Sequence, residues 1–505
     1  MFGYTPFSEL PFATIRSSDQ FESALASFFF SRFGFVTSTA DTPSQTLYDP
    51  RVLQPLQFDR SIINGDRLAG ISVASGEIAL ANGDGKLDNF AVSHAFDGRD
   101  ISVSLGESTF ATTQFGSIFK GVLEDLVVDE DRILLNIRDR IREFELPIQP
   151  NTYAGSGGEE GGEDLEGKPK PLAYGVVRNV SAVLVDAVNL VYQVHDGQVN
   201  NITAVYDRGV ELSKTASTSP GLGEFHPTEA SGVFKLGGAP DGTITADVEG
   251  DASSSFITKT GEIVERILLN QANLTSTQLN TTTFDKMNAD STGVIGIWVG
   301  PDQRQIFDVV DQLLISIGAY GFFNRDGKFT VGVFKDPNVS GDVIKHDFKE
   351  TDIISIRRDA LPTVGNPPIF RSQVTYKVNY TVQEDLAGGS SVGQRQFAVE
   401  PFRVAVATDL TVKNRFKLAD DPDPFFSLYD SQADAQQEAQ RLLDLFSEQH
   451  YLYEIVAKIN VFDVAIGDVV FIQYPRWELT NGRKGRVVAL TEDAERHEMA
   501  MTVFV

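Results

Sequence analysis

Apolar positions along this chain fall mostly into short alternating runs, and only a few segments carry a helical stripe. Between residues 46 and 150 the runs include Ile71-Ser72-Val73, Glu77-Ile78-Ala79-Leu80, Ile101-Ser102-Val103-Ser104-Leu105, Leu126-Val127-Val128 and Arg132-Ile133-Leu134-Leu135-Asn136-Ile137. Turn-forming pairs such as Asn82-Gly83 and Asp84-Gly85 punctuate them. Strands of roughly five or six residues at spacings of about ten predict an all-β barrel or sandwich. The same pattern returns after residue 170, with Val183-Leu184-Val185, Val233-Phe234-Lys235-Leu236 and the period-2 run 242–249. It returns again at the end, where Val469-Val470-Phe471, Arg486-Val487-Val488-Ala489-Leu490 and 499–505 surround a polar Asn481-Gly482 turn and a charged turn over 492–498.

Three stretches have helical periodicity instead. Ile263, Val264, Ile267 and Leu268 lie on one face, as do Ile306, Val309, Val310, Leu313, Leu314 and Ile317. The second stripe starts after Pro301-Asp302 and should stop at Gly318. A hairpin follows, 320–323 and 328–334 about Asn324-Arg325-Asp326-Gly327. The third helix, over 431–448, buries Ala435, Ala439, Leu442, Leu443 and Phe446, with Ser431 and Asp434 at its start resembling a capping box. An alternating strand is expected over 372–382.

These elements divide the chain into five parts. Residues 1–45 form a Phe-dense N-terminal arm (Phe21, Phe28, Phe29, Phe30, Phe33, Phe35) containing a short echo, Pro6-Phe7-Ser8-Glu9-Leu10 and Pro11-Phe12-Ala13-Thr14-Ile15. The arm either docks on a neighbouring subunit or packs as an ordinary first hairpin on its own domain. Residues 46–150 form a first β-barrel. Residues 151–250 form a β-rich linking domain, residues 251–344 an α+β linking domain, and residues 345–505 a second β-barrel with an amphipathic helix. The expected class is mainly β with α+β linking domains: two small antiparallel β-barrels per chain in a four-domain hub architecture. The third part opens on a Gly-rich acidic loop with Glu159, Glu160, Glu163 and Asp164. Its composition cannot bury enough apolar surface to offset ordering entropy, which predicts a mobile loop.

With 505 residues the chain is long enough for roughly three to four cores, and 41% hydrophobic residues suit a globular protein. No run reaches the length of about 20 apolar residues that a membrane span needs, and the N-terminus lacks a basic and apolar leader. The absence of cysteine removes disulfides, thiolate nucleophiles and Cys-based metal sites. Net charge is −27, from 70 acidic and 43 basic residues. Such a surface repels phosphates, which argues against sequence-specific DNA binding and is compatible with passive conduction of DNA past an acidic wall. It is equally what a highly soluble protein shows.

Candidate chemistry is sparse. The six histidines, His94, His195, His226, His346, His450 and His497, form no HxH or HExxH pair. No GxSxG elbow or phosphate-binding loop appears. Asn82-Gly83-Asp84-Gly85 suggests a calcium loop, but Leu80 and Ala91 occupy its first and last ligand positions. A hairpin turn accounts for it better. Asp420, Asp421 and Asp423, interleaved with prolines, suit a solvated loop. Trp298 and Trp477 are the only tryptophans, few for the aromatic platforms of a sugar site. No catalytic, cofactor-binding or metal residue is assigned.

The order of the pieces nevertheless resembles a known family. The run Ala465-Ile466-Gly467-Asp468-Val469-Val470-Phe471-Ile472-Gln473-Tyr474-Pro475-Arg476, then Gly482-Arg483-Lys484-Gly485-Arg486-Val487-Val488, is similar to the closing barrel of tail hub (baseplate hub) proteins of long-tailed, siphophage-type bacteriophages. Residues 76–88, 242–250 and 301–333 resemble further parts of the same family, in the same order. The resemblance implies a homotrimer whose six barrels mimic a hexameric ring, adapting the tail tube and distal tail protein ring to a three-fold tip. It implies the tape-measure protein and tail-tip or central fibre proteins as partners, and DNA passing without specific binding. It carries no catalytic residues and no cofactors. Any peptidoglycan-cutting module is expected on another protein. Glu159, Glu160, Glu163 and Asp164 either face the channel or stay as a surface loop. The alternatives are a receptor- or glycan-binding β-protein of the virion and, further off, a polysaccharide-degrading enzyme.

Overall fold

A computed structural model describes residues 9–19, 25–63, 68–339, 341–362, 365–458, 464–493, 495–496 and 498–505. Residues 6–8 of the N-terminal echo, Phe21, part of the run approaching Ala465 (459–463) and His497 lie outside the described residues. The chain is mainly β, with several sheets and seven α-helices among the described residues.

The largest sheet has 16 strands and joins the two ends of the chain. One half contains Val52–Ser61, Ser75–Ala81, Arg132–Arg138, Gly116–Val128 and Asp100–Glu107, extended by Glu9–Asp19 and Leu25–Ser31. The other contains Ile353–Ala360, Tyr451–Lys458, Glu498–Phe504 and Arg483–Asp493, with Val469–Gln473 and Ile344–Lys349 off the main path. The strand Arg483–Asp493 makes the connection. Its first half pairs with Val469–Gln473, and its second half pairs antiparallel with Val52–Ser61, in the register Ala489 to Ser61 through Asp493 to Gln57. Among the described residues these pairings trace an open path without a closing pair. The edge of Arg483–Asp493 that would continue one unit is partly given to the other.

Strand Glu9–Asp19 lies between Leu25–Ser31 and Asp100–Glu107, so the described part of 1–45 belongs to this sheet. Phe28 meets Phe90 edge-on at 4.7 Å, Phe30 is buried, and Phe29 and Phe35 pack on Tyr48. Phe33 alone of this group stands in solvent.

Two five-stranded sheets over 172–299 enclose a core of their own, including Val177, Phe225, Phe234 and Val248. The expected alternating run appears as strand Ile244–Asp251. Helix Ile306–Ile315 buries the predicted stripe, and Gly318 at φ +62° ends it. Its partner hairpin, Ala319–Phe323 and Phe329–Val333, forms about Asn324, whose side chain accepts from the backbone N–H of Asp326 and Lys328. The strand expected over 372–382 is shorter, Arg371–Tyr376, because the chain turns through Lys377 at φ +51°. It pairs with Arg403–Thr408 under helix Gln432–Phe446, whose Ser431 cap accepts from the Asp434 N–H at 3.1 Å. One hydrophobic core runs from Ile62 and Ile71 through these helices to Val487, Met501 and Phe504.

Candidate functional site

Several residues that the sequence offers for chemistry are held by structural bonds. Asn82 turns the would-be calcium loop by donating to Asp88 and accepting from the Leu87 N–H, and Arg51 grips both oxygens of Asp84 at 2.9 Å. The guanidinium holds the Asp84 carboxyl well below the usual carboxylate range. In the 420–423 loop Asp421 pairs with Arg371 at 2.8 Å. The described histidines lie apart from one another in structural roles. His195 is buried, where its Nδ1 accepts from the Ala173 N–H at 2.9 Å, and His450 stacks on Phe504. Among the described residues no group of three or more His, Asp or Glu is placed to hold a metal ion.

Buried charge concentrates instead where the parts of the chain meet. At the junction of the two halves of the large sheet, Arg325 from the hairpin turn reaches Glu492 on strand Arg483–Asp493 with an Nε–Oε1 distance of 2.7 Å, and donates through Nη2 to the Val464 carbonyl at 2.7 Å. Glu492 is 1% exposed. Arg60, on the adjoining strand, is also buried and lies 4.4 Å from the Phe58 ring. Burial pushes the Arg60 guanidinium down to about 10 against the pull of Glu492, which leaves it charged at neutral pH.

Asp139 completes this junction. It accepts from the Ala74 N–H at 2.8 Å and the Ile141 N–H at 3.2 Å while almost fully buried. Burial pushes its carboxyl up to about 6, outweighing those bonds and the nearby Arg60. A carboxyl raised on folding contributes stability that is present below its unfolded value near 4 and lost as pH rises through about 6. The Asp139→Asn variant should remove this slope. Between pH 4 and pH 7 the wild type should lose on the order of 3 kcal/mol relative to the variant, measured by chemical denaturation at each pH. Parallel pH profiles would contradict the assignment.

A second junction holds the Ile466-Gly467-Asp468 turn. Gly467 adopts φ +87°, and a Cβ there would overlap the Tyr320 hydroxyl of the α+β hairpin. Beside it a cleft of about 270 Å³ contains Lys286, Asp342 and Arg486. Arg486 donates to the Lys335 carbonyl at 2.8 Å and the Gly467 carbonyl at 2.7 Å, and it pairs with Asp342, which Lys286 also reaches at 2.8 Å. Burial alone would raise the Asp342 carboxyl, but these two cations hold it down at about 2. Every charge named here is engaged by another part of the chain, which suits a mechanical joint.

The acidic loop departs from its expected mobility. Leu165 is buried against Tyr153 and Val185, and the Tyr153 hydroxyl donates to Gln193 at 2.6 Å. Backbone bonds from Gly155 to Glu160 and from Gly157 to Gly161 tighten the turn, with glycines 155, 157, 158 and 161 at positive φ. One apolar anchor and a set of permissive glycines thus outweigh the composition. Glu160 is drawn inward by Lys170 at 2.7 Å, whose ammonium lowers its carboxyl, and Glu159 accepts from Ser231. Glu159, Glu163 and Asp164 are exposed.

Sequence reasoning did not single out Arg325 or Glu492, which sit 167 residues apart in ordinary turn and strand contexts. It also set aside Trp477, which is 41% exposed at φ +53°.

No family model matches this sequence, and no curated protein matches it. Among solved structures, the 43 kDa tail protein of prophage MuSo2 from Shewanella oneidensis aligns at 10% identity over 99% of this chain and 98% of its own, with a TM-score of 0.41. A tail protein from Neisseria meningitidis MC58 aligns at 9% identity over 98% and 96%, with a TM-score of 0.39. The prophage tail protein gp18 from Listeria monocytogenes EGD-e aligns at 9% identity over 98% and 94%, with a TM-score of 0.36. At these scores the likeness is one of chain course alone, and no residue's role is taken from it. Each of these three aligned structures is a tail protein, two of them from prophages.

Proposed function

We propose that this chain is a structural hub at the distal tip of a phage tail. Three copies would form a ring that adapts the six-fold tail tube and distal tail ring to a three-fold tip and lets DNA pass during ejection. The observation that carries this is the antiparallel seam between 489–493 and 57–61, which fixes the first and last β units of one chain side by side. A chain presenting two β units in a fixed relation offers six from three copies. The half-buried Arg325 paired with the buried Glu492, the buried Arg60 at that seam, and the Gly467 turn seated on Tyr320 resist independent movement of the units. Each unit is treated as a small barrel within this ring, and the linking parts over 151–250 and 251–344 as its spacers.

The proposed partners are the distal tail protein ring above, the tape-measure protein inside, and tail-tip or central fibre proteins below. The proposed location is the virion tail tip after synthesis in the host cytoplasm. No reaction is assigned to the chain. The net charge of −27 is suited to DNA passing without adhesion. Since the screening length at physiological salt is about 8 Å, only acids lining the channel directly would act on it. In this account Glu159, Glu163 and Asp164 stay on a surface loop of each copy and do not line the channel. Mass photometry of the purified chain should find a species of three times 55.3 kDa. A single species at 55.3 kDa over the whole accessible concentration range would contradict the proposal.

A further inference from the structure

We propose that the hairpin tip carrying Tyr474, Arg476, Trp477 and Lys484 docks on the acidic loop of a second copy of this chain, around Glu163 and Asp164. The inference rests on the three-copy reading above and deepens it by naming a contact between copies.

The tip carries an excess of positive charge. Residues 469–486 contain four cations (Arg476, Arg483, Lys484, Arg486) and one acid (Glu478), within a chain of net charge −27. Arg486 is consumed inside the fold by Asp342, and Glu478 faces Arg358 at 3.6 Å. Arg476, Arg483 and Lys484 enter no ion pair among the described residues, and they flank Trp477 on one hairpin between Val469–Gln473 and Arg483–Asp493. Trp477 is 41% exposed and adopts φ +53°, a left-handed backbone that bulky side chains rarely take. Strain of this kind persists where surrounding structure enforces it, and it clusters at binding surfaces. The Tyr474 ring lies alongside, 6.5 Å away and 22° from parallel. Tryptophan, tyrosine and arginine are the side chains that dominate protein interfaces energetically.

Charge complementarity selects the occupant. Residues 155–167 hold five acids and no cation. Lys170 occupies Glu160, while Glu159, Glu163, Asp164 and Glu166 are exposed and enter no ion pair among the described residues. Because Leu165 and the glycine turn already order this loop, docking on it does not require a mobile segment to be immobilised first. Tip and loop are different surfaces of one chain, so their contact is head-to-tail, the kind that closes into a ring when the rotation permits. Nucleic acid fits the tip less well. Two exposed cations and the half-buried Lys484 supply little counterion release, and the surrounding chain repels phosphate.

The test uses the full chain. The variants are R476E/K484E at the tip, E163K/D164K at the loop, the combined four-fold swap, and W477A, each first matched to wild type in melting temperature. Either charge reversal should raise the concentration at which the assembled species dissociates by about tenfold or more, and the swap should restore it. W477A should weaken assembly in the same direction. Zero-length carbodiimide coupling should join Lys484 of one copy to Glu163 or Asp164 of another, with the pairing assigned by mixing isotopically labelled and unlabelled protein. A wild-type trimer that neither reversal weakens, with no such cross-link, would overturn this contact and leave the three-copy reading standing. A monomeric wild type would overturn both. Binding of a mixed-sequence DNA duplex that R476E/K484E abolishes while assembly stays intact would reassign the tip to nucleic acid.

Discussion

Replacing Arg325 with methionine should lower the unfolding free energy by about 3–5 kcal/mol, the usual cost of stripping one partner from a buried ion pair. Glu492 has nowhere to find water: it is 1% exposed, inside the seam between 489–493 and 57–61. Arg325 also supplies a hydrogen bond to the Val464 carbonyl, which the variant loses. Arg60 remains nearby as a second buried cation and places the expected loss toward the lower end of the range. A double variant, Arg325→Met with Glu492→Leu, should be less destabilised than the sum of its single variants, because removing both charges leaves none unpaired. Urea unfolding of the three variants measures this. Strict additivity would mean that the two side chains do not act as a pair.

The second large effect is expected at Gly467. Substitution by alanine imposes a left-handed backbone on a residue with a Cβ and forces that Cβ into the Tyr320 hydroxyl. Backbone strain and overpacking together should cost roughly 2–5 kcal/mol. Tyr320 is buried and cannot swing aside freely. Combining Gly467→Ala with Tyr320→Leu should recover the steric part and leave the backbone part. Equal losses in the single and double variants would show that the hydroxyl is not the obstacle. The turn is a joint between the α+β part and the last strands.

How much of this was legible in the sequence depended on the range of the interactions. Helix Ile306–Ile315 and its hairpin follow from periodicity and from Asn324-Arg325-Asp326-Gly327, because those signals act over a few residues. The seam did not follow, since its two strands lie more than 400 positions apart and neither carries a mark of the other. Glu492 opens the charged turn expected over 492–498, yet it continues strand Arg483–Asp493 and is buried against Arg325. A charge whose partner comes from a distant hairpin looks locally like a surface charge. The acidic loop erred in the opposite direction: its composition suggested mobility, and the single apolar Leu165 was enough to anchor it on Tyr153. The grip of Arg51 on Asp84 gives the Asn82-Gly83-Asp84-Gly85 turn a structural role that spacing alone did not reveal.

Pairing two β units within one chain has meaning for a tail tip only if copies assemble around an axis. Electron microscopy of the purified full chain tests this most directly. Three-fold particles with a central opening, ringed by six β units contributed two per copy, are the predicted result. Monomeric particles without an opening, or a closed dimer with the seam face buried between copies, would contradict the account.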